Sequence, residues 1–344
     1  MQLVLAGVLT TALLAPATEP LLTLPPQIAE SSGVAASSMS DEWLFTHEDS
    51  GSESELHAVG TDGRLLATYR LGVQARDWED MARGPDGAGG SSLLLADIGD
   101  NNAARELGLL VHRVPEPVPD PAVDGVVVDL PPQVSYRLRY EDGPRDAETL
   151  LVHPVTGRMY VVSKGLLGDP RLYAAPETLR PDAPNLLEHV GGFRPERTGT
   201  PGGPGIGRVA NQLVTAGDIS PDGGRLALRT YTDLYEWRVR DGDVAAALDD
   251  DPQVTALPPT FQGEGLAYTR DGSALLTTTE GEDAPVHRVP SALPAVEPDG
   301  GPAADGADRS LLLLAAGGAL LLALLLALLL LRRSRRRRRR TAPR

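Results

Sequence analysis

A β-propeller, an all-β fold of five blades, is the architecture this sequence predicts, and three features carry the prediction. First, a short phrase recurs five times: an acidic or small polar cluster opens an apolar run that ends in a Gly-containing turn. The instances begin at Glu30, Asp77, Asp146, Ala216 and Gln262, with Val34, Met81, Leu150, Ile219 and Leu266 as equivalent apolar positions. Self-similarity at this spacing means stacked supersecondary units. Second, Asp-Gly and Pro-x-Gly turns flanked by Val-, Leu- and Tyr-rich runs make each unit a set of antiparallel strands. Third, Leu-Pro-Pro-Gln-Ile-Ala-Glu at 24–30 resembles Leu-Pro-Pro-Thr-Phe-Gln at 257–262. The first segment is therefore predicted to add the outer strand of the last blade, closing the ring and removing an open edge. Six blades is the alternative count. A sandwich would not repeat an acid at the start of each unit, and a doubly wound fold needs amphipathic helices that the pattern lacks.

The equivalent positions are 47, 69, 69 and 47 residues apart, read from their numbers. A blade takes about 40–50 residues, so each long interval holds one blade plus an insertion of about 20. Blade two is predicted as strands at 79–83, 92–97, 108–114 and 134–140, the last following a Pro-rich insertion. Blade three has strands at 150–152, 159–162 and 171–173; blade four at 226–228 and 234–237; blade five at 275–277 and 286–289. The Gly- and Pro-rich stretch 191–209 reads as an insertion loop.

The two ends predict a membrane topology. Residues 1–17 read as a signal peptide, with an apolar stretch at 3–14 and Ala-Pro-Ala at 15–17, although no Lys or Arg precedes it. The propeller occupies 18–290, a Pro/Ala/Gly/Asp stalk 291–309, a transmembrane helix 310–331 and an Arg-rich cytoplasmic tail 332–344. The unbroken apolar run 311–331 would reach about 31 Å as a helix, enough to cross a hydrocarbon core. The whole chain carries −15; taking away the nine arginines of 332–344 leaves −24 on residues 1–331. Basic residues directly after a span fit the positive-inside rule, so the chain is expected in the cell membrane as a single-pass protein with its propeller outside. A nucleic-acid-binding tail is the other reading of the arginines, but their place directly after the span fits the positive-inside rule better, so no nucleic-acid partner is expected. Absence of Cys excludes a disulfide framework and thiolate chemistry.

Strand A of each blade lies innermost, so residues entering it, together with the B–C loops, line the mouth. That places Glu30, Asp77, Glu79, Asp146, Glu148, Asp218 and Glu264 near one another. The B–C loops add His47 to Ser50, Asp97, Asp100, Asn101, Asn102, Ser163, Lys164, Thr230, Tyr231, Thr279 and Glu280. Two carboxylates 4 Å apart repel by about 4 kcal/mol at an effective dielectric near 20, so such a ring needs a cation, shared protons or arginine partners. Calcium suits all-oxygen ligands, and Glu79, Asp97, Asp100, Asn101, Glu148 and Glu264 are the candidate ligands. The competing reading makes the acids structural caps on backbone N–H groups or on Arg76, Arg105, Arg145 and Arg229. Asp49, Asp77, Asp146, Lys164, Tyr231 and Glu280 are candidate ligand-binding residues. His47, Glu79, Glu148, Lys164 and Glu264 are candidates for catalysis, His47 being the one histidine mapped to the mouth. Lys164 stands out as the single lysine among thirty-one arginines.

The set Asp77-Trp-Glu-Asp-Met-Ala82, Ala96-Asp-Ile-Gly-Asp-Asn101, Asp146-Ala-Glu148, Ser163-Lys164 and Gln262-Gly-Glu-Gly-Leu-Ala267 resembles a family of bacterial, largely actinobacterial, secreted or membrane-anchored β-propellers. Glu48-Asp-Ser-Gly51 adds to the match, where relatives read Asn-Asp-Ser-Gly. More distantly the chain is similar to phytase-like and SdiA-regulated propellers. The resemblance implies fold and location, and no reaction. Two functions follow. One is a binding module that takes a small molecule, glycan or protein at its acidic mouth. The alternative is a calcium-dependent hydrolase of the phosphoesterase, lactonase or esterase type, which leaves enzymatic activity open.

Overall fold

The computed structural model describes residues 18–49, 54–105, 108–165 and 169–295, and their regular secondary structure is almost wholly β-strand. Residues 1–17, Ser50, most of the stalk, the expected transmembrane helix at 310–331 and the tail at 332–344 lie outside the described residues. Among the described residues no helix is long and apolar enough to cross a membrane.

After β1 (Glu19–Thr23), the strands run as antiparallel meanders. The first is β2 (Ser31–Ala36), β3 (Trp43–Glu48), β4 (Glu55–Gly60) and β5 (Leu65–Arg70). The second begins with β6 (Trp78–Pro85), β7 (Ser91–Asp97) and β8 (Leu109–Pro115), skips β9 (Val126–Asp129), and ends with β10 (Val134–Tyr140). The third is β11 (Ala147–Val152), β12 (Met159–Ser163), β13 (Arg171–Ala174) and β14 (Asn185–Gly192). The fourth is β15 (Val214–Ile219), β16 (Arg225–Thr230), β17 (Asp233–Arg238) and β18 (Gln253–Ala256), with the four-residue helix α1 (Val244–Ala247) before its last strand. The fifth is β19 (Gly263–Tyr268), β20 (Ala274–Thr279) and β21 (Pro285–Pro290).

The innermost strands make a circuit: β2 packs on β6, β6 on β11, β11 on β15, β15 on β19, and β19 back on β2. β1 completes the fifth meander by pairing antiparallel with β21, Glu19 opposite Arg288 and Thr23 opposite Pro285. The architecture is thus all-β and propeller-like. Five apolar clusters fill the wedges between neighbouring meanders. Leu150, Val161 and Tyr173 meet Leu94, Val111 and Leu138 in one; Leu151 and Val162 meet Leu226 and Trp237 in the next. Phe45 and Leu56 meet Met81 and Leu95, Ala216 and Leu234 meet Leu266 and Leu275, and Ile28, Val34 and Leu44 meet Leu276 and Val286. Each fully buried Leu, Val or Phe contributes about 1.5–3 kcal/mol, which is how a chain without disulfides holds this ring.

Four local expectations change. In the fourth meander the residue equivalent to Met81 and Leu150 is Gly217 rather than Ile219, because Gly217 pairs with Leu228 just below a bulge as Met81 pairs with Leu95. Counting apolar residues alone shifted that register by two. The insertion after β8 contains β9, which pairs parallel with β5 of the first meander. β10 and β14 also pair in parallel through Leu138–Tyr140 and Asn185–Leu187, fusing the second and third meanders into one sheet. Finally, residues 291–293 are docked and not an extended stalk. Ser291 Oγ and Ala292 N donate to the Glu236 carboxylate at 2.5 and 2.8 Å, and the Leu293 carbonyl accepts from buried Arg225 at 3.1 Å.

Candidate functional site

Every innermost strand carries a register shift where it leaves the mouth. The shifts fall between Ser31 and Val34, Trp78 and Asp80, Ala147 and Thr149, Val214 and Ala216, and Gly263 and Leu266. A bulge re-aims the extra residue out of the ladder. The residues so placed include Ser32, Glu79, Glu148, Thr215 and Glu264, all buried. The two hydroxyls are used structurally: Ser32 donates to the Glu79 carbonyl and Thr215 to the Gly263 carbonyl at 2.9 Å. The three glutamates remain as buried carboxyls close enough to perturb one another.

Glu79, Asp146 and Glu148 each offer an oxygen, and these lie within 4.8 Å of one another. Oxygens bound to a single calcium at about 2.4 Å span no more than about 4.8 Å, so the set fits that ion. Lys164 forms an ion pair with Glu148, its side chain 14% exposed and that of Glu148 only 3%. Burial first, then repulsion from Glu148, pushes the Glu79 carboxyl well above the usual range. Burial raises Glu148 to about 7 even though Lys164 opposes the rise. Burial would lower the Lys164 ammonium, but the Glu148 carboxylate prevails and holds it above the ordinary lysine value. Glu264 is pushed well up, by burial and then by Glu148, and its buried Oε2 has no hydrogen-bond partner among the described residues. Asp146 Oδ2 is in the same condition. Such orphaned carboxylate oxygens, facing a cluster of like charge, fit a hard cation by the chemistry of the donor set.

The loop at 97–102 serves another purpose than the metal ligation expected of it. Asp97 accepts from the backbone N–H groups of Arg76 and Asp77 at 3.2 and 3.1 Å and pairs with buried Arg105 at 2.7 Å. Asp100 accepts from the N–H groups of Ala104 and Arg105, both at 2.8 Å. Its own N–H donates to Asp146 at 2.9 Å, which orients one triad member. Asn101 is exposed at the loop tip. Asp97 and Asp100 thus act as caps, each of their carboxylate oxygens accepting at least one hydrogen bond, which the local Asp/Asn pattern does not announce. Gly99 permits the close approach: a Cβ there would land on the Glu79 carboxylate and within 2.6 Å of Asp77.

Around this centre, burial raises Asp77, and Glu280 is raised to about 7 by burial and then by Asp49. Glu280 accepts from the Gln262 amide at 2.5 Å. Lys164 Nζ lies 5.9 Å from the Tyr231 ring centroid. Arg229 donates to the carbonyls of Gly265 and Thr278 at 2.9 and 3.0 Å, so its hydrogen bonds go to backbone. His47, expected at the mouth, is wholly buried edge-on against Trp78 with centroids 5.4 Å apart. Burial lowers it to about 4, leaving the imidazole neutral at pH 7. Asp218 also sits elsewhere: it accepts from the N–H groups of Ile219 and Tyr268, both at 2.8 Å, lower in the ring. Asp80, which sequence reasoning missed, fills the axis and accepts from Met81 N at 2.9 Å and Leu150 N at 3.0 Å, with Gly217 N as a third donor. Its position beside Glu79 in an acidic run was the available signal. A cavity of about 820 Å³ opens on the opposite face beside Arg83, Glu116 and Arg270, and none of the mouth carboxylates lines it.

No protein-family model matches the chain, and no curated protein matches it. Among solved structures, a glutaminyl cyclase from Myxococcus xanthus aligns with a TM-score of 0.43 at 12% identity, covering 80% of this chain and 97% of that one. A gluconolactonase from Xanthomonas campestris aligns with a TM-score of 0.42 at 14% identity, covering 79% of this chain and 89% of that one. Neither likeness is strong enough to carry an argument, so the chain's own strands and side chains define the class. It is an all-β, propeller-like protein with a buried carboxylate cluster where its innermost strands begin.

Proposed function

We propose that this chain is a membrane-anchored, extracytoplasmic five-bladed propeller whose mouth holds a divalent cation, calcium by preference, and with it a small molecule, glycan or protein ligand. The observation that carries this reading is the convergence of Glu79, Asp146 and Glu148 oxygens within 4.8 Å. The ion would be held by those three residues. It would offset the burial and mutual repulsion that raise the Glu79 and Glu148 carboxyls. Calcium titration of the full-length chain in detergent, by calorimetry, tests the reading: saturable binding that Glu79→Gln abolishes is expected, and no heat above that variant's would refute it. Protease protection of the C-terminal tail in intact cells tests the anchor.

The second reading is hydrolysis of a phosphoester, lactone or ester. It is favoured by the Glu148 carboxyl, which burial raises to about 7, a value suited to proton transfer at neutral pH. A bound divalent ion would polarise the substrate oxygen. Turnover of a lactone or ester panel that is lost in both Glu79→Gln and Glu148→Gln supports this reading; inactivity on every member removes it.

A further inference from the structure

The triad already contains a cation, the ammonium of Lys164. Its main chain is fixed between two meanders, because Lys164 N donates to the Asp146 carbonyl at 3.2 Å and its carbonyl accepts from Val214 N at 3.0 Å. Motion is therefore left to the side chain, which runs past the Tyr231 ring to Glu148. A second carboxylate lies close to Tyr231, that of Glu264, whose neighbour Gly263 packs against the Tyr231 carbonyl; it is only 4% exposed, and its Oε2 has no hydrogen-bond partner among the described residues. The Arg229 guanidinium spends its Nη1 hydrogen bonds on the carbonyls of Gly265 and Thr278. A buried carboxylate without a partner is costly, and a buried lysine deprived of one is costly too.

Resting on the cation-binding reading above, we propose that Lys164 is a movable resident counter-ion: it neutralises Glu148 in the cation-free protein and turns to Glu264 when a divalent ion takes Glu148. Glu264 is then the acceptor that allows the exchange, and not a fourth ligand. The arrangement also makes Lys164 a selectivity determinant. A monovalent ion would replace one unit charge at Glu148 with another and gain nothing, whereas a divalent ion brings added charge to three carboxylates.

The chain's single lysine makes the exchange visible. In the full-length protein labelled with 13Cε-lysine, one resonance is expected, and it should move on calcium addition. The two variants should diverge: Lys164→Met removes the competitor, so calcium binds about tenfold tighter and sodium begins to compete. Glu264→Gln removes the landing site, so calcium binds about tenfold weaker. A merely structural role for both residues would weaken binding in both. If the wild type binds calcium while the lysine resonance stays fixed, or if Lys164→Met binds more weakly, the exchange is wrong and the cation site stands. If neither the wild type nor Lys164→Met binds a divalent ion, the cation reading itself fails and the exchange falls with it.

Discussion

Replacing Glu148 by Gln should change stability in a way that depends on pH, and the sign follows from the site. Burial raises the Glu148 carboxyl from 4.5 to about 7 in the folded chain. A raised acid adds stability that is complete below its unfolded value and is lost as pH climbs through the folded value. Two and a half pKa units at about 1.36 kcal/mol each amount to roughly 3 kcal/mol, lost between pH 4.5 and 7. Gln cannot lose a proton, so the variant escapes that loss. It carries a constant penalty for depriving Lys164 of its partner, but its stability relative to wild type should improve by up to about 3 kcal/mol from pH 4.5 to 8. The comparison matters because absolute profiles mix opposing groups. His47, lowered to about 4 by burial, takes stability away as pH falls from 6.5 to 4 in both proteins and cancels in the difference. Urea denaturation at half-unit pH steps with EDTA present measures it. A flat difference, or one that favours wild type as pH rises, would show that Glu148 is already ionised at pH 4.5 and throughout the range, and would refute the reasoning.

Other expectations follow from the same geometry. Asp80→Ala leaves the N–H groups of Met81, Leu150 and Gly217 without their carboxylate, at about 1–3 kcal/mol each, and should lower the melting temperature far more than Asp80→Asn does. Deleting residues 19–23 removes β1, bares the edge of β21 and unseats Leu22, so thermal melting should drop and the protein should self-associate on size-exclusion chromatography. Gly99→Ala drives a methyl group into the Glu79 and Asp77 carboxylates and should weaken calcium binding measured by calorimetry, with a smaller effect on stability.

Much of the ring was legible because the repeating phrase encodes both the strand and the acid that opens it. Trp78-Glu79-Asp80 and Ala147-Glu148-Thr149 declare an apolar strand preceded by a carboxylate, and the Leu-Pro-Pro pair reveals that β1 and β18 play the same part in different meanders. Geometry of pairing was less legible. No local pattern announces that Gly217 stands level with Met81, since the bulge that sets this register is defined by the partner strand. The parallel pairings of β9 and β14 depend on where insertions fold back, which a loop's composition does not state. The carboxylates show the same divide. Asp97, Asp100 and Glu148 are all acids near the mouth, yet two are capped by N–H groups and Arg105 while the third pairs with Lys164 beside Glu79 and Asp146.

The most direct measurement is anomalous diffraction from crystals soaked in calcium. A peak about 2.3–2.6 Å from carboxylate oxygens of Glu79, Asp146 and Glu148 is predicted, with the Lys164 side chain turned toward Glu264. A peak confined to the 97–102 loop or to the cavity on the opposite face, or none at saturating calcium, would contradict the account.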